Sequence, residues 1–292
     1  MQTIHRNSYR AFPSFDRTSL ARKVKEMTIM DDWRLLPFET KNAFANMATD
    51  EAVLKARIAN AVPNTLRFYK WKPSAVSVGR FQSIEKEVQI GNCRKHGVDI
   101  VRRITGGGTV YHDTAGEITY CVVVAKSDLE TESITEIYEK LYACIVKGLD
   151  LLGVKADFTE GNSRACPNLT VQGKKISGSS QSHKCGVVLQ HGTLLTNVDL
   201  NKMFSLIRAK NGSCSDTITV ARDRITSLTK EVGREVNDEE VCTALAAGFS
   251  QKMNVKMLHE ILTTIETNDA EKLTVEKYSR TEWNLEGEAL RG

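Results

Sequence analysis

The chain has 292 residues, 41% apolar and 26% charged, with a net charge of +4 at pH 7. That is the composition of an ordinary globular fold with a sizeable core; the charge is too small to imply nucleic-acid binding, and no apolar run is long enough for a bilayer. The seven cysteines include no C-x-x-C pair, which argues against a zinc site or disulfide framework and fits a reducing compartment.

Residues 1–32 read as a basic N-terminal extension, with Arg6, Arg10, Arg17, Arg22, Lys23 and Lys25 ahead of the folded region. Such a composition suits a mitochondrial transit peptide, a basic arm or a docking strand, and a cytoplasmic location is the default expectation. Asn42 to Ile58 has helical spacing, with Phe44, Met47, Ala48, Ala52 and Ala56 to one side. Thr65–Tyr69 and Ala75–Val78 read as strands around Lys72-Pro73-Ser74. Val98–Val101 and Thr109–Tyr111 read as strands on either side of a glycine bend. Glu117–Ala125 and Val187–Thr196 are strongly apolar strands. Ser133-Ile-Thr-Glu136 has the form of a capping box before an apolar stripe ending at Gly153. Lys210–Asp216 reads as a loop, and a helix starts near Asn237. Strands and helices interleave without a strict repeat, so the expected class is α/β (α+β), a mixed sheet flanked by helices.

The most informative stretch is Arg102-Arg-Ile-Thr-Gly106-Gly-Gly-Thr-Val110-Tyr-His112-Asp113. Glycines accept positive φ and let backbone N–H groups approach a ligand, while a guanidinium matches phosphate or carboxylate with two parallel hydrogen bonds. The pattern suits an anionic, nucleotide-like ligand; the alternative is a tight β-turn with solvated arginines. A second stretch, Asn168 to Gln181, reads as a strand, a Gln172-Gly173 turn, and a strand carrying Lys174, Lys175, Ser177 and Gly178. Strand alternation points Lys174 and Lys175 to opposite faces.

Together these segments resemble the lipoate–protein ligase and octanoyltransferase superfamily, whose catalytic domain is shared with biotin–protein ligases. The resemblance includes Asn46-Met-Ala-Thr-Asp-Glu-Ala52, Leu66-Arg-Phe-Tyr69, Val78-Gly-Arg-Phe-Gln82 and Leu189-Gln-His-Gly192, with an echo in Lys277–Trp283. It implies a class II synthetase-like catalytic domain over residues 33–254, followed by a short helical tail over 255–292. The implied activity is ATP-dependent activation of lipoate or octanoate to an acyl-adenylate, then transfer to a lysine. Lys175 is the implied catalytic residue. Arg103, Gly106, Gly107, Gly108, Val110, His112, Asp113, Ser177 and Gly178 would hold the nucleotide or acyl-adenylate, with Mg2+ carried by the ATP phosphates rather than by a protein cage. Tyr120, Leu189 and His191 are the expected acyl-pocket residues.

Two other readings stay open. Octanoyltransferases of the superfamily use a cysteine thiolate and no ATP, and Cys166 lies nine residues before Lys175; Arg164 and Lys175 are cations that can depress a thiol pKa. Gln190-His191-Gly192 also fits that branch, whereas Gly106-Gly107-Gly108 and the register of Cys166 fit it less well. Motif count favours the ligase, with Cys166 an inert thiol beside Pro167. The third reading is a non-catalytic lipoate-binding regulator, against which the intact lysine and glycine loop argue. The implied acceptors are lipoyl domains of 2-oxoacid dehydrogenases or the glycine-cleavage H protein, with no role for nucleic acid or membrane. About 38 residues follow Asn254, too few for an independent core, so a ligase of this kind is expected to need a separate accessory subunit.

Overall fold

In the computed structural model of the chain, the structure describes residues 31–161, 166–208 and 214–286. The basic N-terminal residues, Arg164 and most of the loop expected at 210–216 therefore lie outside the described residues.

Alternation in the apolar strands fixes how the main sheet is covered. Strand β1 is Asp31–Leu35, β2 Glu39–Lys41, β3 Thr65–Trp71, β4 Ala75–Val78, β5 Asp99–Arg102, β6 Val110–His112 and β7 Glu117–Ala125. After these come β8 Asp157–Thr159, β9 Asn168–Val171, β10 Lys174–Lys184, β11 Val187–Leu195 and β12 Val255–His259. Along β7, Ile118, Tyr120, Val122 and Val124 enter one core, whereas Cys121 and Val123 enter another. Both faces of this strand are covered, which is why it reads as a nearly unbroken apolar run.

Helix α1 (Ala43–Ile58) covers the second of those faces. Helices α2 (Ile134–Leu151) and α3 (Asp238–Met253) cover the first, and α4 (Thr264–Leu273) packs on α1. Helices α2 and α3 cross closely: a β-carbon on Gly248 would sit 2.3 Å from the Cys144 carbonyl oxygen. The main sheet runs β12-β1-β3-β7-β11-β10-β9-β8, with β2 also paired to β3. Its β1–β3 and β2–β3 pairs are parallel, and those from β3 through β8 are antiparallel. A second sheet, β5-β4-β6, carries the glycine loop between β5 and β6. The mixed sheet flanked by helices is the expected fold.

Local differences have local causes. Ser133 caps α2 through Glu136 N–H, but the Glu136 carboxylate accepts from Thr131 instead of reaching back, so only half of the expected capping box forms. Cys214–Asp216, placed in a loop by their small polar residues, open the helix Cys214–Arg224. The segment after Asn254, read as a helical tail, begins with β12, which takes the edge of the main sheet beside β1. The described residues from Asp32 onward, on both sides of Asn254, fall in one compact unit. Arg34 and Glu266 bind the tail to the sheet through two hydrogen bonds of 2.8 and 2.5 Å, both side chains being buried.

Candidate active site

A cavity of about 1020 Å³ opens between the β5-β4-β6 sheet and the ends of β10 and β11. The glycine loop forms one wall. Gly107 has φ +87°, a region that favours glycine, and a β-carbon on Gly79 would lie 2.2 Å from the Gly107 carbonyl oxygen. The loop therefore needs glycine at 107 for its conformation and at 79 for the close approach.

Lys175 and Cys166 both line the cavity. In β10 the pairing with β9 shifts between Lys175 and Ser177, and this bulge re-aims Lys175. Lys174 is not among the cavity-lining residues, as strand alternation requires. The Lys175 side chain lies over Gly178, so close that a β-carbon there would be 2.7 Å from Nζ. Solvent reaches Lys175 through the open cavity, yet protein atoms surround it. Desolvation pushes its pKa down, opposed by the Cys166 charge. A β-carbon on Gly107 would lie 3.5 Å from Cys166 Sγ and 3.3 Å from Ser180 Cβ, so the sulfur sits against the glycine loop. Cys166 is exposed, unlike the buried Cys93, Cys121 and Cys144.

Arg103 lines the cavity, but its donors are engaged by the loop itself. The guanidinium donates to Ser77 Oγ at 2.7 Å, to the Gly106 and Gly108 carbonyls at 2.9 Å each, and to Thr105 Oγ1 at 3.3 Å. Desolvation brings its pKa down to about 10. Its first role in this conformation is to shape the loop.

Two histidine–carboxylate pairs support that arrangement. His191 Nδ1 is 3.0 Å from Asp50 Oδ2 and its Nε2 is 2.8 Å from Thr105 Oγ1, which also accepts from Ser180 Oγ at 2.9 Å. Burial lowers the His191 pKa although Asp50 opposes the shift, so the neutral ring donates from Nδ1 and accepts at Nε2. Burial acts to raise Asp50, but His191, Arg67 and Tyr69 outweigh it and leave the carboxyl below its ordinary range. Arg67 donates to Asp50 Oδ1 at 2.7 Å and Tyr69 to Oδ2 at 2.8 Å. In the second pair, His112 bridges Glu117 Oε1 and Ser77 Oγ at 2.7 Å each and stacks on Trp71 at 4.0 Å. Both chains end on partners of Arg103.

The structure brings together Arg103, Gly107, Gly108, Val110, His112, Cys166, Lys175, Ser177, Gly178 and His191 at the cavity. Other expected residues fall elsewhere. Gly106 contributes its carbonyl to Arg103 from behind the lining. Asp113 instead accepts from Tyr111 at 2.9 Å and caps Ala115 N–H, so it shapes the turn after β6. Leu189 is buried in the core beneath α1, because residues of β11 alternate and α1 covers that position. Tyr120 enters the opposite core, with its hydroxyl 3.4 Å from Ser177 Oγ. Neither is among the residues that line the cavity. The floor holds Met47, Tyr69 and Trp71 instead. Residue spacing alone missed Asp50, Ser77, Thr105 and Ser180 as members of this network. The available signal was a polar residue at a core position, such as Asp50 on the apolar side of α1 and Ser77 between two buried valines.

Comparison with known proteins agrees with this geometry. The sequence model of the lipoyl protein ligase A/B catalytic domain matches residues 42–250. Octanoyltransferase LipM of Clostridioides difficile is 33% identical, over 87% of this chain and 99% of its own. LipM of Symbiobacterium thermophilum is 35% identical, over 87% and 98%. Among solved structures, a bi-partite lipoate protein ligase from Thermoplasma acidophilum superposes with a TM-score of 0.77 at 29% identity, over 88% of this chain and 96% of that one. A lipoate-protein ligase A bound with ATP gives 0.77 at 30% identity, over 87% and 98%. With the glycine loop and the lysine hairpin meeting at one cavity, this chain belongs to the lipoyl protein ligase A/B catalytic-domain family of lipoyl- and octanoyl-transferring enzymes.

Proposed function

We propose that the protein is a cysteine-dependent octanoyltransferase, the alternative that motif count placed second. The observation that carries the reading is the shared cavity of Cys166 and Lys175, with the sulfur against the glycine loop. The LipM relatives, identical at a third of positions over nearly their whole length, support the same choice. The engagement of Arg103 by loop carbonyls supports it too, since an acyl-adenylate needs free cationic donors at its phosphate.

The Cys166 thiolate attacks the carbonyl carbon of an octanoyl carrier thioester. The bond to the carrier sulfur breaks, and the carrier leaves as a thiol after taking up a proton. The acceptor lysine amine, from a lipoyl domain or H protein, then attacks the enzyme thioester. An amide forms, Cys166 leaves as thiolate, and the amine gives up a proton. Lys175 provides positive charge beside the sulfur and the oxyanion in both steps, while the low-polarity floor of Met47, Tyr69 and Trp71 accepts the acyl chain.

The test is mass spectrometry after incubation with octanoyl carrier protein, without ATP. An octanoyl adduct on Cys166 that passes to a lipoyl domain, and that Cys166→Ser abolishes, is the expected result. The ATP-bound relative and the intact Gly106–Gly108 triplet favour a second reading, the ATP-dependent ligase. ATP-dependent attachment of free octanoate or lipoate that survives Cys166→Ser would replace the first reading with that one.

A further inference from the structure

The residues of the glycine loop do not by themselves account for how it is held. The loop leaves β5, whose partner on one side is β4. At Arg102, the last residue of β5, side chains of the C-terminal segment supply hydrogen bonds that a strand would otherwise make. The Arg102 backbone N–H donates to Asn284 Oδ1 at 2.9 Å, and the Trp283 indole N–H donates to the Arg102 carbonyl at 2.9 Å. The Arg102 guanidinium then reaches in both directions. It donates to the carbonyls of Trp283 and Asn284 at 3.0 and 3.2 Å, and to those of Gly79, Arg80 and Gln82 at 3.1, 3.1 and 2.7 Å. Arg102 is fully buried and is thus a main-chain hub rather than a ligand-facing cation.

The other end of the segment is fixed on α1. Tyr278 Oη and Lys277 Nζ donate to Glu51 Oε2 at 2.6 and 2.7 Å, and Glu51 adjoins Asp50, the partner of His191. Between the two ends, Asn284 Nδ2 donates to the Tyr278 carbonyl at 2.5 Å, and the Tyr278 and Trp283 rings meet edge to face at 6.0 Å. The segment therefore spans from the helix that bears Asp50 to the strand that launches the glycine loop. It lies beyond residues 42–250, to which the family match extends.

We propose that Tyr278, Trp283 and Asn284 are positioning residues of the acyl-transfer site, holding the 79–82 and 103–109 walls of the cavity through Arg102. The proposal rests on reading this cavity as the acyl-transfer site. It does not depend on whether the acyl group waits on sulfur or phosphate. A loop held from outside presents its amides in a fixed geometry, and turnover depends on that geometry more steeply than ground-state binding does.

The test uses the full chain with Asn284→Ala and, separately, Trp283→Phe, which keeps an aromatic ring and removes the indole N–H together with the second ring. Trp283→Phe, which loses one hydrogen bond, should lower kcat about tenfold with KM little changed, and Asn284→Ala, which loses the bonds to Arg102 and Tyr278, should lower it at least as far. Hydrogen exchange should show weaker protection in 79–82 and 103–109, while β7 and β11 keep theirs. Wild-type turnover, unchanged loop protection, or a loss of protection spread evenly into β7 and β11 each overturns the proposal. Lys175→Ala is run in parallel. Full acyl transfer by that variant would sink the reading of the cavity itself, whereas the exchange data report on the strut independently.

Discussion

Gly178→Ala tests how finely the lysine is placed. The new β-carbon would stand 2.7 Å from Lys175 Nζ and 2.8 Å from Cε, so the ammonium must retreat by about 0.7 Å to reach ordinary contact at 3.4 Å. Nothing else lies within 4 Å, and the atoms that must move are the far end of a flexible side chain. The stability cost is therefore small, under about 1 kcal/mol. The catalytic cost is not small, because a displacement approaching 1 Å at a reacting group costs about 10- to 100-fold in rate. The assay pairs thermal unfolding with the rate of octanoyl transfer to a lipoyl domain, beside Gly153→Ala as a control. Gly153 follows α2 with φ +81° and no neighbour near its would-be β-carbon, so alanine there strains the backbone by about 1 kcal/mol. The control should lose stability and keep activity; Gly178→Ala should keep stability and lose activity. Wild-type turnover by Gly178→Ala, or a loss explained by unfolding, would refute the argument that the glycine exists to admit the lysine.

Other perturbations follow from the same geometry. Lys175→Met should abolish transfer yet raise the melting temperature at neutral pH, since the folded state lowers the lysine pKa by desolvation and the unfolded chain binds that proton more tightly. That gain is full below the folded pKa and vanishes as pH rises past the ordinary 10.5, so melting curves from pH 7 to 11 check it. Lys174→Ala, outside the cavity lining, should be mild in the transfer assay. His191 is held neutral by burial, so stability should fall as pH drops below its ordinary 6.5; His191→Asn should flatten melting temperature against pH between 7 and 5. Glu266→Ala strands the buried Arg34 guanidinium and should cost about 3–5 kcal/mol by urea unfolding, with an unaltered midpoint counting against the pair as the tail's anchor.

Much of the fold was legible because its signals are local. Alternation marks β7 and β11, helical spacing marks α1 and α2, and the Gln172-Gly173 turn, with φ +50° and +77°, brings Lys175 back beside β9. The glycine loop was likewise visible, since glycines at 79 and 107 answer to backbone geometry that few other residues tolerate. Tertiary structure alone decided what those elements do to one another. It engaged Arg103 with loop carbonyls, left Leu189 and Tyr120 out of the cavity lining, and brought Cys166 to the glycine loop. It also joined Thr105 to His191 and Asp50, and Arg102 to Trp283 and Asn284, residues far apart along the chain. A strand's period dictates which face a side chain takes, but a hydrogen bond's partner is chosen by which chain segments are packed within 3 Å of it, and only folding sets that distance.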